Sequence, residues 1–245
     1  MRKLSLFSVF VLIFVLIFNG VNSQVTNIYQ KGLSSEQNLN AIRDLAPYSN
    51  GGVGFDTRYE GIKGSPRLLD SLLPSFLNVK GQDYYLQLRT DIDLVQNTLL
   101  FIHPKTGKLL ALPSNMVNEL VIEKNGKEMV FRTTGGKRFE KDIKEQKFFQ
   151  VLKEGPFPFI KMPVKLFTEA NYKGAYAPDK RYDEYETKYR YYIGSPDSTF
   201  HQVQLNRKSL VKLFPDKKEL IDKAIGLKTY INEEEMVIAV LETLK

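Results

Sequence analysis

Two pairs of carboxylates are spaced so that both members of each pair would share one face of an extended strand. Asp91 and Asp93 form the first pair, and Glu184 and Glu186 form the second. Residues two apart in a strand point to the same side, and paired carboxylates bind Ca²⁺ or act as general acid and base. A polar turn also explains the aspartates. The lysine and arginine that follow the glutamates explain these as solvated or cross-strand charge.

Other common active sites lack their residues. The chain has no cysteine, which excludes cysteine nucleophiles, thiolate metal sites and disulfides. The only two histidines, His103 and His201, lack the His-x-x-x-His spacing of a zinc site, and we interpret each as a strand or turn residue. No Gly-x-Ser-x-Gly elbow occurs, and the glycine-rich stretch 50–64 lacks the Gly-Lys-Ser/Thr end of a phosphate loop. We predict no catalytic residue, no metal site and no cofactor.

A cluster of tyrosines is the most unusual feature of the chain. Five lie within the eleven positions 182–192, namely Tyr182, Tyr185, Tyr189, Tyr191 and Tyr192. Helical spacing would join four of them, whereas strand alternation separates a largely tyrosine face from a charged face. Aromatic and β-branched residues favour strands, so we predict a strand, a turn at 194–198 and a returning strand at 199–205.

The predicted strand makes Tyr185, Tyr189 and Tyr191 candidate contact residues for a ligand or partner. Three interpretations stay open. The rings pack inside the sheet, as is usual for tyrosine faces. They stack sugars from an exposed row. They form a protein-contact surface, since tyrosine is enriched in interfaces.

The first 23 residues have the order of a secretory signal peptide. Arg2 and Lys3 precede an apolar run from Leu4 to Phe18, and short residues lead to Ser23. The run would span about 22 Å as a helix, less than the roughly 30 Å of a bilayer core. We predict cleavage after Ser23, export and no transmembrane segment in the mature chain; a retained membrane anchor is the alternative.

Charge argues against nucleic acid as a partner. The chain has 35 basic and 28 acidic residues, a net charge of +7, and loss of the first 23 residues leaves +5. The basic residues are mixed with acids along the whole length, whereas a nucleic-acid-binding protein concentrates them. With 245 residues the chain can build a core without disulfides, which suits a bacterial cell envelope.

The elements that position these residues divide the chain into four parts. After the signal peptide, residues 24–64 form a glycine-rich lead-in with one short helix near 33–46. Residues 65–205 read as antiparallel strands, with the Asn125-Gly126 turn as the clearest hairpin signal. Pro163 places its strand at an edge or bulge. Residues 206–245 form a small helical cap packed on the strands. The fold class is α+β: a mostly antiparallel sheet, as a meander of hairpins, a curled sheet or a partial barrel.

The helical cap carries its own start and stop signals. Asn206 is a good first cap, and Asn232 has Glu235 at capping-box spacing. Asp216, with Glu219, has the same spacing and predicts a cap for the middle helix, which Gly226 should end.

The C-terminal motifs resemble a family of uncharacterised exported proteins of Bacteroidota. They comprise Tyr191-Tyr192-Ile193, a turn and a short strand, the stretch NRKSLVKLFPDKK at 206–218, and the final helix at 232–244. The resemblance covers residues 64–245. It implies an envelope location and carries no established activity and no catalytic residues.

These observations predict an exported, non-catalytic binding or scaffold module of the cell envelope that contacts protein or envelope glycan. The alternative is a hydrolase or transferase acting on an envelope polymer, with Asp91, Asp93, Glu184 or Glu186 as acid–base groups. Carboxylates that converge in a cleft would favour the enzyme.

Overall fold

The computed structural model describes residues 38, 61–169, 182–227 and 229–244. The predicted signal peptide lies outside the described residues, as does the lead-in helix apart from Asn38, which is helical. The described residues form twelve strands: β1 Ile62–Lys63, β2 Leu73–Val79, β3 Leu86–Asp93, β4 Thr98–Ile102, β5 Leu109–Pro113, β6 Val117–Lys124, β7 Lys127–Thr133, β8 Arg138–Phe139, β9 Phe148–Lys153, β10 Phe159–Thr168, β11 Asp183–Gly194 and β12 Thr199–Val203. Three helices follow: α1 Arg207–Leu213, α2 Lys218–Gly226 and α3 Glu233–Thr243.

The strands form one mostly antiparallel sheet, as the sequence predicts. Their order is β5-β4-β3-β2-β6-β7-β9-β10-β11-β12-β8, an open path in which most neighbours are consecutive along the chain. Among the strand pairs that the structure describes, only the short β1–β11 and β12–β8 pairs are parallel. The β6–β7 hairpin turns at Asn125 and Gly126, whose φ angles are 53° and 71°. Both residues therefore adopt the left-handed conformation that this dipeptide tolerates in a tight hairpin.

The sheet curls. Ile62 pairs with Asp183 on β11, and only five residues later Arg67 bridges to Asp93 on β3. Strands β3 and β11 are six steps apart in the strand order, or about 29 Å in a flat sheet. Five residues span at most about 18 Å. The sheet must bend to bring these two strands within reach of one short segment, so the curled-sheet alternative is confirmed, while the open strand path means that the sheet does not close on itself.

Side-chain caps fix two of the three helices as predicted. The Asn206 side chain accepts a hydrogen bond from the Ser209 N–H, and that of Asn232 accepts one from the Glu235 N–H, both at 2.9 Å. The predicted cap at Asp216 is wrong. A 3₁₀ turn at Pro215–Lys217 precedes α2, which begins without a side-chain cap. Helix α2 does end at Gly226, but its φ is not positive, so it is not a left-handed cap.

The helices cover one face of the β10–β12 region. Ile221, Val237 and Leu241 are fully or almost fully buried against Phe159 and Ile193 of the sheet. A separate apolar core lies within the curl of β2 to β7. A third, smaller cluster lies on the opposite face of β10–β12. The row of candidate tyrosines on β11 therefore begins under the helical cap and continues along the strand beyond it.

Candidate functional site

Strand β11 carries the predicted tyrosine face, and the register with β10 gives each tyrosine its neighbour. Tyr191 lies opposite Lys161, Tyr189 opposite Pro163, and Tyr185 opposite Phe167. Directly opposed residues share a face, so these side chains form a single row along the β10–β11 hairpin. Tyr192, the fourth tyrosine within the strand, points to the other face. There it is buried and makes an edge contact with Phe139 at 5.2 Å.

Helix α3 covers the row at Tyr191, and we call this the proximal end. Tyr191 donates a hydrogen bond from its hydroxyl to Glu234 at 2.7 Å, and its ring stacks on Phe159 at 5.9 Å. Lys161 donates to the same Glu234 oxygen at 2.7 Å. Burial, reinforced by the Glu234 carboxylate, raises the pKa of Tyr191. The packed interpretation of the tyrosines therefore holds for Tyr191.

At the other end of the row, which we call the distal end, aromatic side chains are exposed to solvent. Tyr189 is 48% exposed and Phe167 is 47% exposed. The partly buried Tyr185 ring tilts against Phe167 at 4.8 Å, and Lys165 lies between Phe167 and Pro163 on the same face. We call Tyr185, Tyr189 and Phe167 the distal aromatic surface. Tyr189 and Phe167 are among the large apolar side chains that the described part of the chain leaves exposed.

Cations occupy several of the ring faces. The Lys161 ammonium lies 4.2 Å from the centre of the Tyr189 ring, and Lys63 lies 3.5 Å from that of Tyr182. Each is a cation–π contact. Since a stacked sugar needs an open ring face, the ammonium over Tyr189 disfavours sugar stacking there.

Asp91 has a structural role. It has no exposed surface, although the sequence pattern predicts a polar turn there. That prediction is wrong because Asp91 lies inside β3. Its carboxylate pairs with Arg67 at 2.9 Å and accepts the N–H groups of Leu69 and Ile92 at 3.1 and 2.7 Å. Burial raises the pKa of Asp91 against the opposing effect of these partners. A polymer substrate cannot reach a carboxylate with no exposed surface.

The other three predicted acids also hold local structure or lie in register with the neighbouring strand. Asp93 ends β3 and accepts the N–H groups of Val95 and Gln96 at 2.9 and 2.8 Å, so it forms the turn after the strand. Glu186 is exposed and contacts Lys188 of its own strand, while Glu184 lies in register with Thr168. The two carboxylate pairs lie on different strands, β3 and β11.

One arrangement that the sequence did not reveal is a serine–histidine–glutamate series. His201 places Nε2 at 3.1 Å from Ser195 Oγ and Nδ1 at 3.5 Å from Glu140. Ser195 lines a cleft of about 500 Å³ built by three turns. Its hydroxyl also bonds Asp197 and lies 2.8 Å from the Thr199 carbonyl oxygen. The bond from Ser195 is the largest cause that lowers the pKa of Asp197 to about 2.

These hydrogen bonds make Ser195 a structural residue of the turn and not a nucleophile. A catalytic serine gives its proton to the imidazole, but the single proton of Ser195 has two oxygen acceptors in the β11–β12 turn. Sequence spacing alone would not have found the three residues, because Glu140 joins them only through the parallel β8–β12 pair. His103 is likewise a turn residue, as predicted, since its Nδ1 accepts the Thr106 N–H at 3.2 Å.

Within the described ranges, no group of three or more histidine, aspartate or glutamate side chains is placed to hold a metal ion. Among the helices that the structure describes, none has the length and apolarity needed to cross a membrane. Comparisons with protein-family models, curated proteins and solved structures found no match to this chain.

Proposed function

We propose that the protein is an exported, non-catalytic binding module of the bacterial cell envelope that holds a partner protein against its distal aromatic surface. One observation carries the proposal. The same tyrosine row that packs under helix α3 at one end leaves Tyr189 and Phe167 half exposed at the other. A surface ring that is half exposed on a strand anchored by a core is pre-ordered, and pre-ordering lowers the entropic cost of binding.

A protein partner fits this surface better than a glycan. Tyrosine and phenylalanine are enriched in the centres of protein interfaces, and Leu166, on the opposite face of the hairpin end, is a further 44% exposed. The ammonium over the Tyr189 ring removes one stacking face. The distal hairpin therefore offers apolar contacts on two sides, which suits a protein groove.

The N-terminal sequence supports the envelope location. The basic start, the apolar run and the short residues before Gln24 are the pattern that signal peptidase reads. Mass spectrometry of the protein from its native organism tests this point. We expect a mature chain that begins at Gln24, and an intact N-terminus would contradict cleavage.

An affinity pull-down tests the function. Tagged full-length protein is recovered from detergent-solubilised envelopes of the native organism, and co-purified proteins are quantified by mass spectrometry. We expect a stoichiometric partner that the double variant Tyr189→Ser/Phe167→Ser loses. Val95→Ser is the matched control, since Val95 is 49% exposed in the β3–β4 turn. A partner retained by the double variant, or no partner at all, would contradict the proposal.

A further inference from the structure

The outer edge of strand β11 contains a gap between two short neighbours. On the side away from β10, β1 pairs with Asp183 and Glu184, and β12 pairs with the stretch from Tyr191 to Gly194. Among the described strands, none pairs with residues 186–190 on this side. Five residues of strand cover about 17 Å. The gap is thus the length of a short strand and is closed at both ends.

The hydrogen-bond phase shows which backbone groups face the gap. Gly194 donates its N–H to Pro158 across the β10 side, and Ser195 donates to Thr199 across the β12 side. Backbone groups in antiparallel pairs alternate between the two sides. Even-numbered residues of β11 therefore bond β10, and odd-numbered residues point outward. Within the gap, Thr187 and Tyr189 present their N–H and C=O groups.

The opposite edge of the hairpin is less suited to strand pairing. Strand β9 pairs with β10 only as far along β10 as Lys161, so the rest of that edge has no neighbour among the described strands. By the same alternation, Pro163 on β10 faces its ring nitrogen outward, where a pairing strand would need a donor. Proline protects edges for this reason. The edge of β11 has no such block.

We infer that the gap in β11 accepts an extended segment of the partner protein as an additional strand. This inference rests on the proposed function, because Tyr189 belongs to both the gap and the distal aromatic surface. Main-chain hydrogen bonds to Thr187 and Tyr189 supply the affinity, as in other cases of strand addition. Side chains of alternate residues supply the specificity.

The side chains beside the gap define the chemistry of the added strand. Tyr189 and Thr187 line one face, which suits apolar or β-branched residues. Lys188 and Arg190 line the other face. Lys188 contacts Glu186, whereas Arg190 is exposed and makes no ion pair within the described part of the chain. The inserted segment therefore alternates apolar residues with polar residues that include an acid opposite Arg190.

Selection from a phage library of random ten-residue peptides tests the inference. We expect selected peptides to alternate apolar and acidic residues. Thr187→Pro removes one outward N–H that has no strand partner, so the fold and melting temperature should stay close to wild type while peptide affinity falls about tenfold or more. Thr187→Val keeps the N–H and should bind within about twofold of wild type.

N-methylated versions of a selected peptide give a second, independent signature. One version is methylated at every odd residue and the other at every even residue. Only one set of N–H groups can face β11, so one version should lose binding and the other should keep it. Equal losses, or no loss in either version, would overturn strand addition.

The outcomes separate the two proposals. Peptides that lose affinity for Tyr189→Ser/Phe167→Ser but bind Thr187→Pro normally would overturn strand addition and leave the distal surface as the binding site. Peptides indifferent to every variant, or no selected peptide, would overturn both. A wild-type dimer that Thr187→Pro converts to a monomer in sedimentation velocity would make a second copy the occupant and contradict the partner.

Discussion

The two ends of one hairpin use the same amino acid in opposite ways. At the proximal end, Tyr191 lies against Phe159 and donates a hydrogen bond from its hydroxyl to Glu234 of helix α3. At the distal end, Tyr189, only two residues away on the same face, is 48% exposed. Neither residue type nor strand phase separates them. The position of helix α3 over the hairpin makes the difference: it covers Tyr191 and leaves Tyr189, about 7 Å farther along the strand, exposed.

Lys161 connects the two ends. Its ammonium donates to Glu234 and also lies over the ring of Tyr189. The helical cap therefore positions the first exposed ring through one cation. The exposed rings beside the helices gain order from the core, because the strands that carry them are fixed by the buried half.

The largest loss of stability should come from disrupting the helices that pack over the proximal end. Leu241 is 1% exposed in α3, and Leu241→Asp would bury an unpaired charge. We expect a loss of about 4 kcal/mol or more in the free energy of unfolding, measured by urea denaturation. Ile221→Asp in α2 should behave alike. Leu227→Asp is the control, since Leu227 is 68% exposed. If both buried variants unfold at the same urea concentration as wild type, the helical cap does not depend on the burial of Leu241 and Ile221.

A matched pair of substitutions compares the two ends directly. Tyr191→Ser removes a packed ring and leaves Glu234 with one fewer donor, so we expect a loss of about 3 kcal/mol. Tyr189→Ser removes a ring that is half in solvent, and a loss of about 1 kcal/mol or less is expected. Chemical denaturation of both variants measures the difference. Equal losses would mean that the two tyrosines are buried alike.

The sequence predicted the helices and strands better than the way they pack on one another. Alternation located strand β11, and the side-chain caps at Asn206 and Asn232 were readable because each depends on residues at most three positions away. The cap at Asp216 was not readable, because Pro215 begins a 3₁₀ turn instead of an α-helix. Local signals thus located the secondary structure.

The site depends on contacts that no local pattern contains. Glu234 meets Tyr191 across 43 positions of sequence, and Arg67 meets Asp91 across 24. Single-sequence periodicity could assign Tyr185, Tyr189 and Tyr191 to one face, but it could not say which of them helix α3 covers. For the same reason it could not distinguish a buried structural carboxylate such as Asp91 from a catalytic one.

High pH should weaken the proximal end through Tyr191. Burial beside Glu234 raises the pKa of Tyr191 above its ordinary value of 10. The unfolded chain then ionises before the folded one, so this contribution is present below about pH 10 and is lost as pH rises toward the folded-state pKa. The stability advantage of wild type over Tyr191→Phe should shrink between pH 9 and 11.5 in urea denaturation. A constant difference across that range would contradict the assignment.

The smallest expected effect tests the link between the two ends. Lys161→Met keeps the aliphatic stem and removes the ammonium, while the Tyr191 hydroxyl still satisfies Glu234. The pair is partly exposed, so the loss of unfolding free energy should be about 1 kcal/mol or less. The ring of Tyr189 should nevertheless become easier to nitrate, because the cation no longer covers it. Peptide mapping after tetranitromethane treatment measures this. An unchanged rate at Tyr189 would mean that helix α3 seals one end of the hairpin without ordering the other.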